Sequence, residues 1–127
     1  MILVDTSVWV QHLRHGEPTL AQRLDAREIL THPLIVGELA MGNLAGRDRF
    51  LTGLHRLPKA VAATDEEVLD LVDRERLFGL GVGYVDACLL AATRLTPDAH
   101  LWTFDRRLAE TAIRLGLSGP AIRPRLN

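Results

Sequence analysis

The sequence predicts an α/β fold: a mainly parallel sheet with helices on both faces. Short apolar runs, beginning with Ile2-Leu3-Val4, alternate with longer stretches of helical periodicity, and strands joined by helical crossovers pair in parallel. Apolar residues make up 47% of the 127 residues, enough for one ordinary core and too many for a disordered chain. No linker, repeat or low-complexity tract divides the chain, so a single domain over residues 1–127 is expected.

Ile2-Leu3-Val4 reads as a short buried strand. Further strands are expected at Glu28 to Leu30, Ala60 to Ala63 and Leu101 to Phe104, with Ala121-Ile122 as a fifth. Helices are expected over roughly 6–14, 18–26, 33–43, 46–56, 65–79, 84–95 and 105–115. Pro33 suits a first helical turn, where its missing N–H costs nothing. Thr64 and Glu67 have capping-box spacing, and Val68, Leu71 and Val72 continue on one apolar face. Thr96 and Pro97 should end the helix that starts at Tyr84.

Composition narrows the function. The formal net charge of −1 excludes a uniformly basic nucleic-acid coat but leaves room for a local patch. One cysteine excludes an intramolecular disulfide and fits a reducing, cytoplasmic compartment. No apolar run reaches membrane-spanning length, and Met-Ile-Leu-Val-Asp lacks the basic start of a signal peptide. Fourteen of the fifteen basic residues are arginine, so chemistry needing a lysine would depend on Lys59. No phosphate-loop motif occurs, and Gly79, Gly81 and Gly83 read as a connecting turn.

Four carboxylates interrupt apolar stretches or close strands. Asp5 follows the first strand directly, where ligands bind in open parallel sheets, although an N-cap explains it equally well. Asp105 repeats the pattern after Thr103-Phe104, and an N-cap is again the simpler reading. Glu38 sits in Leu34-Ile35-Val36-Gly37-Glu38-Leu39-Ala40-Met41, a segment expected to be buried, where a lone carboxylate needs a partner. Asp86 shares a helix face with Leu89 and Leu90. A structural ion pair with an arginine is open for Glu38 and for Asp86. If the four converge, their repulsion raises pKa values and a divalent cation relieves it; oxygen ligands favour Mg²⁺ or Mn²⁺ over zinc. That chemistry suits phosphodiester hydrolysis.

Asp5-Thr6-Ser7 after a first strand, Glu38-Leu39-Ala40, Asp86-Ala87-Cys88-Leu89-Leu90-Ala91-Ala92 and Thr103-Phe104-Asp105 together resemble a PIN domain, and in particular a VapC-type toxin of a type II toxin–antitoxin system. The likeness runs from Ile2 to about Leu115. It implies a three-layer α/β/α sandwich and Mg²⁺- or Mn²⁺-dependent RNA cleavage. It implies that Asp5, Glu38, Asp86 and Asp105 form the acidic site, with Asp5, Asp86 and Asp105 on the metal and Glu38 acting through water. Thr6 and Thr103 match hydroxyls that steady the first and last acids. A homodimer and a VapB-type antitoxin are the implied partners.

Other residues carry weaker signals. His12 and His15 lack further ligands at metal-site spacing, Cys88 reads as a core side chain, and Ser7 has no base for hydrolase chemistry. Trp9 and Trp102 read as core or contact residues. Among Arg14, Arg47, Arg49, Arg94, Arg106 and Arg107, the last two are the best RNA contacts, because they follow Asp105 directly. Loops near 43–50 and 80–84 are the expected sources of substrate choice. Two other functions fit an acidic α/β pocket: a receiver-type phosphoacceptor domain, which would need a lysine after a later strand, and a catalytically silent PIN-fold binding module.

Overall fold

The computed structural model describes residues 1–119. The elements run β1 (Ile2–Val4), α1 (Thr6–His15), α2 (Pro18–Asp25), β2 (Ile29–Leu30), α3 (Pro33–Ala40), α4 (Arg47–Arg56), α5 (Asp65–Arg74), α6 (Tyr84–Leu95), β3 (His100–Trp102) and α7 (Arg106–Arg114). The strands form one parallel sheet in the order β2-β1-β3, with Leu3 beside Leu30 and Leu101, and Val4 beside Trp102. Successive strand residues point to opposite faces, and Ile2, Leu3 and Val4 are all buried, so β1 is covered on both sides. The result is the three-layer α/β/α sandwich expected from the sequence.

Among the described residues seven helices appear near their expected positions, several for a local reason, although α3 stops at Ala40 and α5 at Arg74, short of the expected 43 and 79; beyond α5 the chain turns at Arg76, which takes positive φ. Pro33 opens α3, and the His32 imidazole Nδ1 accepts from the Leu34 N–H. Burial lowers the His32 pKa, which favours the neutral imidazole that this contact requires. The capping box at α5 forms as read: Thr64 Oγ1 accepts from Glu67 N, and Glu67 Oε1 accepts from Thr64 N. Thr64→Ala is expected to cost about 1 kcal/mol of stability, checked by urea denaturation. α6 ends at Leu95, and the Thr96 hydroxyl donates back to the Ala92 carbonyl.

The expected strand over 60–63 does not form. Lys59 makes an isolated parallel bridge to Thr31, framed by Thr31 N–H to Pro58 O and Ala60 N–H to Thr31 O. The chain then leaves the sheet: Val61 donates its N–H to the Thr96 hydroxyl and is exposed. The expected strand at Ala121-Ile122 lies outside the described residues. Among the described residues, no helix is long and apolar enough to cross a membrane.

The register brings both strand ends that carry acids to one edge. Asp5 donates its N–H to the Trp102 carbonyl at 2.9 Å, so the exits of β1 and β3 lie side by side.

Candidate active site

The site starts from that edge. Asp5 stands at the N-cap position of α1, but its side chain does not cap the helix. Instead its Oδ2 accepts from two hydroxyls, Ser7 Oγ at 2.7 Å and Thr103 Oγ1 at 2.7 Å. Each hydroxyl is aimed by a backbone amide: Phe104 N–H donates to Ser7 and Asp105 N–H to Thr103. The two hydroxyl protons therefore point at one carboxylate oxygen. Asp5 and Thr103 are buried. This small network locks residues 5–7 to residues 103–105 across the sheet edge.

The other acids attach by similar single contacts. Asp105 caps α7, its Oδ1 accepting from Leu108 N. Asp86 reaches back in the first turn of α6, its Oδ2 accepting from Gly83 N. Glu38 Oε1 accepts from the Thr6 hydroxyl at 2.8 Å. Asp5, Asp86 and Asp105 thus all sit at helix N-termini, where the positive end of the helix dipole favours negative charge. Glu38 lies in the last turn of α3, where the dipole does not help it.

The other three acids act on Asp86. The Asp86 pKa is raised, first by burial and then by the charges of Asp5, Asp105 and Glu38, against the opposing Gly83 hydrogen bond. Among the described residues no arginine or lysine pairs with any of the four. The ion pairs are Arg23–Glu28, Arg47–Asp48, Arg74–Asp70, Arg94–Glu75 and Arg106–Glu110. The structural ion pairs that the sequence left open for Glu38 and Asp86 are absent there.

The donor set fits a hard divalent cation. It offers carboxylate oxygens only, and no histidine or cysteine is among the groups acting on Asp86. Each carboxylate has one oxygen held by the chain and a second with no hydrogen-bond partner among the described residues. Among the described residues no three such groups stand close enough together to hold a metal ion as they are placed.

A PIN domain model matches residues 2–114. The chain belongs to the PIN domain family. It is also similar to Ribonuclease VapC32 of Mycobacterium tuberculosis, in strain CDC 1551 / Oshkosh and in strain ATCC 25618 / H37Rv. Each is 45% identical over 118 residues, covering 93% of this chain and 95% of the relative. A PIN fold sets aside the receiver reading, for which Lys59 is also misplaced: it is exposed beside Thr31, on the β2 side of the sheet.

On this PIN scaffold three expectations need correction. Glu38 is exposed, not buried, because α3 turns Leu34, Gly37 and Glu38 outward while Ile35 and Leu39 enter the core. Thr6 serves Glu38 and not the first acid; its place at the start of α1 carries its hydroxyl toward α3. Thr103 donates to Asp5, and the last acid touches it only through its backbone N–H. Ser7 was missed as a site residue. Its signal was local: a serine two residues after an aspartate can hydrogen-bond that side chain. Arg106 pairs with Glu110 on the exposed face of α7, whereas Arg107 packs its side chain against Gly81.

Proposed function

We propose that this chain is a metal-dependent endoribonuclease that hydrolyses RNA phosphodiester bonds and acts as the toxin of a toxin–antitoxin pair. The observation that carries the reading is the Asp86 carboxyl, which feels the charges of Asp5, Asp105 and Glu38, with no cation paired to any of the four among the described residues. The 45% identity to a protein named as a ribonuclease supports the substrate class.

Asp5, Asp86 and Asp105 are the residues that would hold Mg²⁺, with Mn²⁺ as a substitute. Such an ion, when bound, supplies positive charge for a phosphate oxygen, for a water nucleophile and for the leaving oxygen. The chain's own residues provide the order. Ser7 and Thr103 fix Asp5 Oδ2 and so aim Oδ1. Thr6 fixes one oxygen of Glu38 and leaves the other to act through water. Arg106 and Arg107 directly follow Asp105 and would meet RNA phosphates, Arg106 by leaving its pair with Glu110. The oxygen of water would bond to phosphorus as the bond to the 3′ oxygen breaks; the proton given up by the water is matched by one taken up by the 3′ oxygen, which leaves a 5′-phosphate and a 3′-hydroxyl.

A cytoplasmic location, a VapB-type antitoxin and a homodimer complete the proposal. The exposed apolar side chains of Leu13 on α1, Leu34 on α3 and Met41 just past α3 are apolar surface that a protein partner would cover. In the deciding experiment, purified protein is mixed with short RNA oligomers and Mg²⁺. Cleavage is expected, with loss on chelation and recovery on adding excess Mn²⁺. Intact RNA together with no heat of Mn²⁺ binding by calorimetry would favour the silent binding module.

A further inference from the structure

The start of α6 lacks the usual support. Its N-cap is Gly83, which has no side chain to accept from the free amides of the first turn. The turn is closed from the other direction, by Asp86 Oδ2 accepting from Gly83 N–H across a long 3.3 Å. Asp86 therefore serves twice: it holds the start of its own helix and, in the reading above, it holds a metal ion. A hard divalent cation draws carboxylate oxygens to itself and competes with a weakly placed amide. A second support that does not involve Asp86 would keep the turn formed.

Tyr84 makes such a contact. Its hydroxyl donates to Asp65 Oδ1 at 3.0 Å. Asp65 is the first residue of α5, whose start is fixed by the Thr64–Glu67 capping box. The two helices run side by side in the same direction. Their starts meet at the Tyr84–Asp65 bond, and their far ends meet where Arg94 pairs with Glu75 at 3.1 Å. Between the two ties, Leu71 of α5 and Ala91 of α6 line one cleft. Tyr84 is 49% exposed, so burial alone does not fix its ring. The Cys88 thiol, one helical turn along, lies beside the same hydroxyl.

Asp86 lies between Tyr84 and Cys88 in sequence but roughly 200° round the helix axis from Tyr84. The bond to α5 thus grips one side of the first turn while Asp86 leaves from the other, where it feels the charges of Asp5, Asp105 and Glu38. From this arrangement we infer that Tyr84 and Asp65 are positioning residues for the acidic site: their hydrogen bond holds the first turn of α6 against α5, so that Asp86 can give its oxygens to a divalent cation without the start of the helix unwinding. This role rests on the metal-dependent reading above. Neither residue is assigned a contact with RNA or with the cation. The Arg94–Glu75 pair, more than two turns further along α6, ties the same helices but is too far from Asp86 to share the role.

The test measures Mn²⁺ binding by calorimetry, RNA cleavage as a function of Mn²⁺ concentration, and melting temperature in chelator. Tyr84→Phe keeps the ring and removes the hydroxyl. It is expected to raise the Mn²⁺ Kd, and the Mn²⁺ concentration for half-maximal cleavage, about tenfold. Its metal-free melting temperature should stay close to wild type, because the lost bond is exposed. At saturating Mn²⁺ its cleavage should recover with KM for RNA unchanged. Asp65→Ala should reproduce these effects, and Asp65→Asn, which keeps the accepting oxygen, should restore wild-type binding. Tyr84→Phe combined with Asp65→Ala should be no worse than either alone, since each breaks the same bond. Glu75→Gln, which weakens the tie at the far end, should leave the Mn²⁺ Kd as it is. An unchanged Mn²⁺ Kd in Tyr84→Phe, a rise in its KM for RNA alone, or a large fall in its metal-free melting temperature overturns the positioning role while leaving the ribonuclease reading intact. Absence of Mn²⁺ binding by the wild type overturns it as well. Mn²⁺ binding that weakens in Tyr84→Phe and returns in Asp65→Asn, in a protein that cuts no RNA, upholds the positioning role and overturns the ribonuclease reading.

Discussion

Asp86→Asn is expected to reduce metal-dependent RNA cleavage by about a hundredfold or more, and at the same time to raise the melting temperature of the metal-free protein at neutral pH. The two effects have one cause. Burial and the charges of Asp5, Asp105 and Glu38 raise the Asp86 pKa above its ordinary value of 3.8. A carboxyl whose folded pKa exceeds its unfolded pKa favours folding only while it is protonated. Below the ordinary aspartate range Asp86 is neutral in both states and carries no penalty. As pH rises through the elevated folded pKa, the charge appears in a half-buried site among other carboxylates and the folded state loses stability. Asparagine has the same shape, carries no charge, and can still accept from the Gly83 N–H through its oxygen. The melting difference between variant and wild type should therefore be positive at pH 7 and shrink toward zero as pH falls below about 4. Adding Mn²⁺ should reverse the order, because ligand bound only to the folded wild type raises its melting temperature. Thermal melts with chelator, at both pH values, check the first part; melts with Mn²⁺ check the second. A variant less stable than wild type at pH 7 would mean that Asp86 is a structural residue.

The positions of three acids were legible in the sequence because each marks a boundary that local rules define. Asp5 and Asp105 follow the last apolar residue of a short strand and precede a helix, and Asp86 shares its helix face with Leu89 and Leu90, both buried. Glu38 was misread for an equally physical reason. α3 is apolar on nearly every side and so has no polar stripe to fix its phase. Tertiary packing chose the face, burying Ile35 and Leu39 and leaving Met41 88% exposed. Ala60 to Ala63 misled in another way. An apolar run reads as a strand whether or not a partner is available, and after the Thr31 bridge none is among the described residues. Cross-chain hydrogen bonds were the least legible part. Ser7 and Thr103 are 96 residues apart and meet only because β1 and β3 are neighbours in the sheet.

That meeting makes the strongest claim about residues outside the acidic quartet. Thr103→Val keeps the shape of the side chain and removes its hydroxyl. Asp5 Oδ2 then loses one of two donors, and the Asp105 N–H loses its acceptor, at a position only 3% exposed. Losing these two hydrogen bonds, both made by a buried hydroxyl, should cost about 1–3 kcal/mol of stability. Cleavage should fall by roughly ten- to a hundredfold, the range for residues that orient a metal ligand. Thr103→Ser, which retains the hydroxyl, should recover most of both. Ser7→Ala should behave similarly, since its hydroxyl donates to the same oxygen. The double variant should cost less than the two single variants added together, because both act through Asp5. A purely structural role would lower activity equally at all metal concentrations. A positioning role shifts the Mn²⁺ dependence, so activity in Thr103→Val should return at high Mn²⁺, whereas activity in Asp86→Asn should not. Cleavage by Thr103→Val with a wild-type Mn²⁺ profile would remove Asp5 from the metal-holding set, since the network that fixes it would then be irrelevant to the reaction.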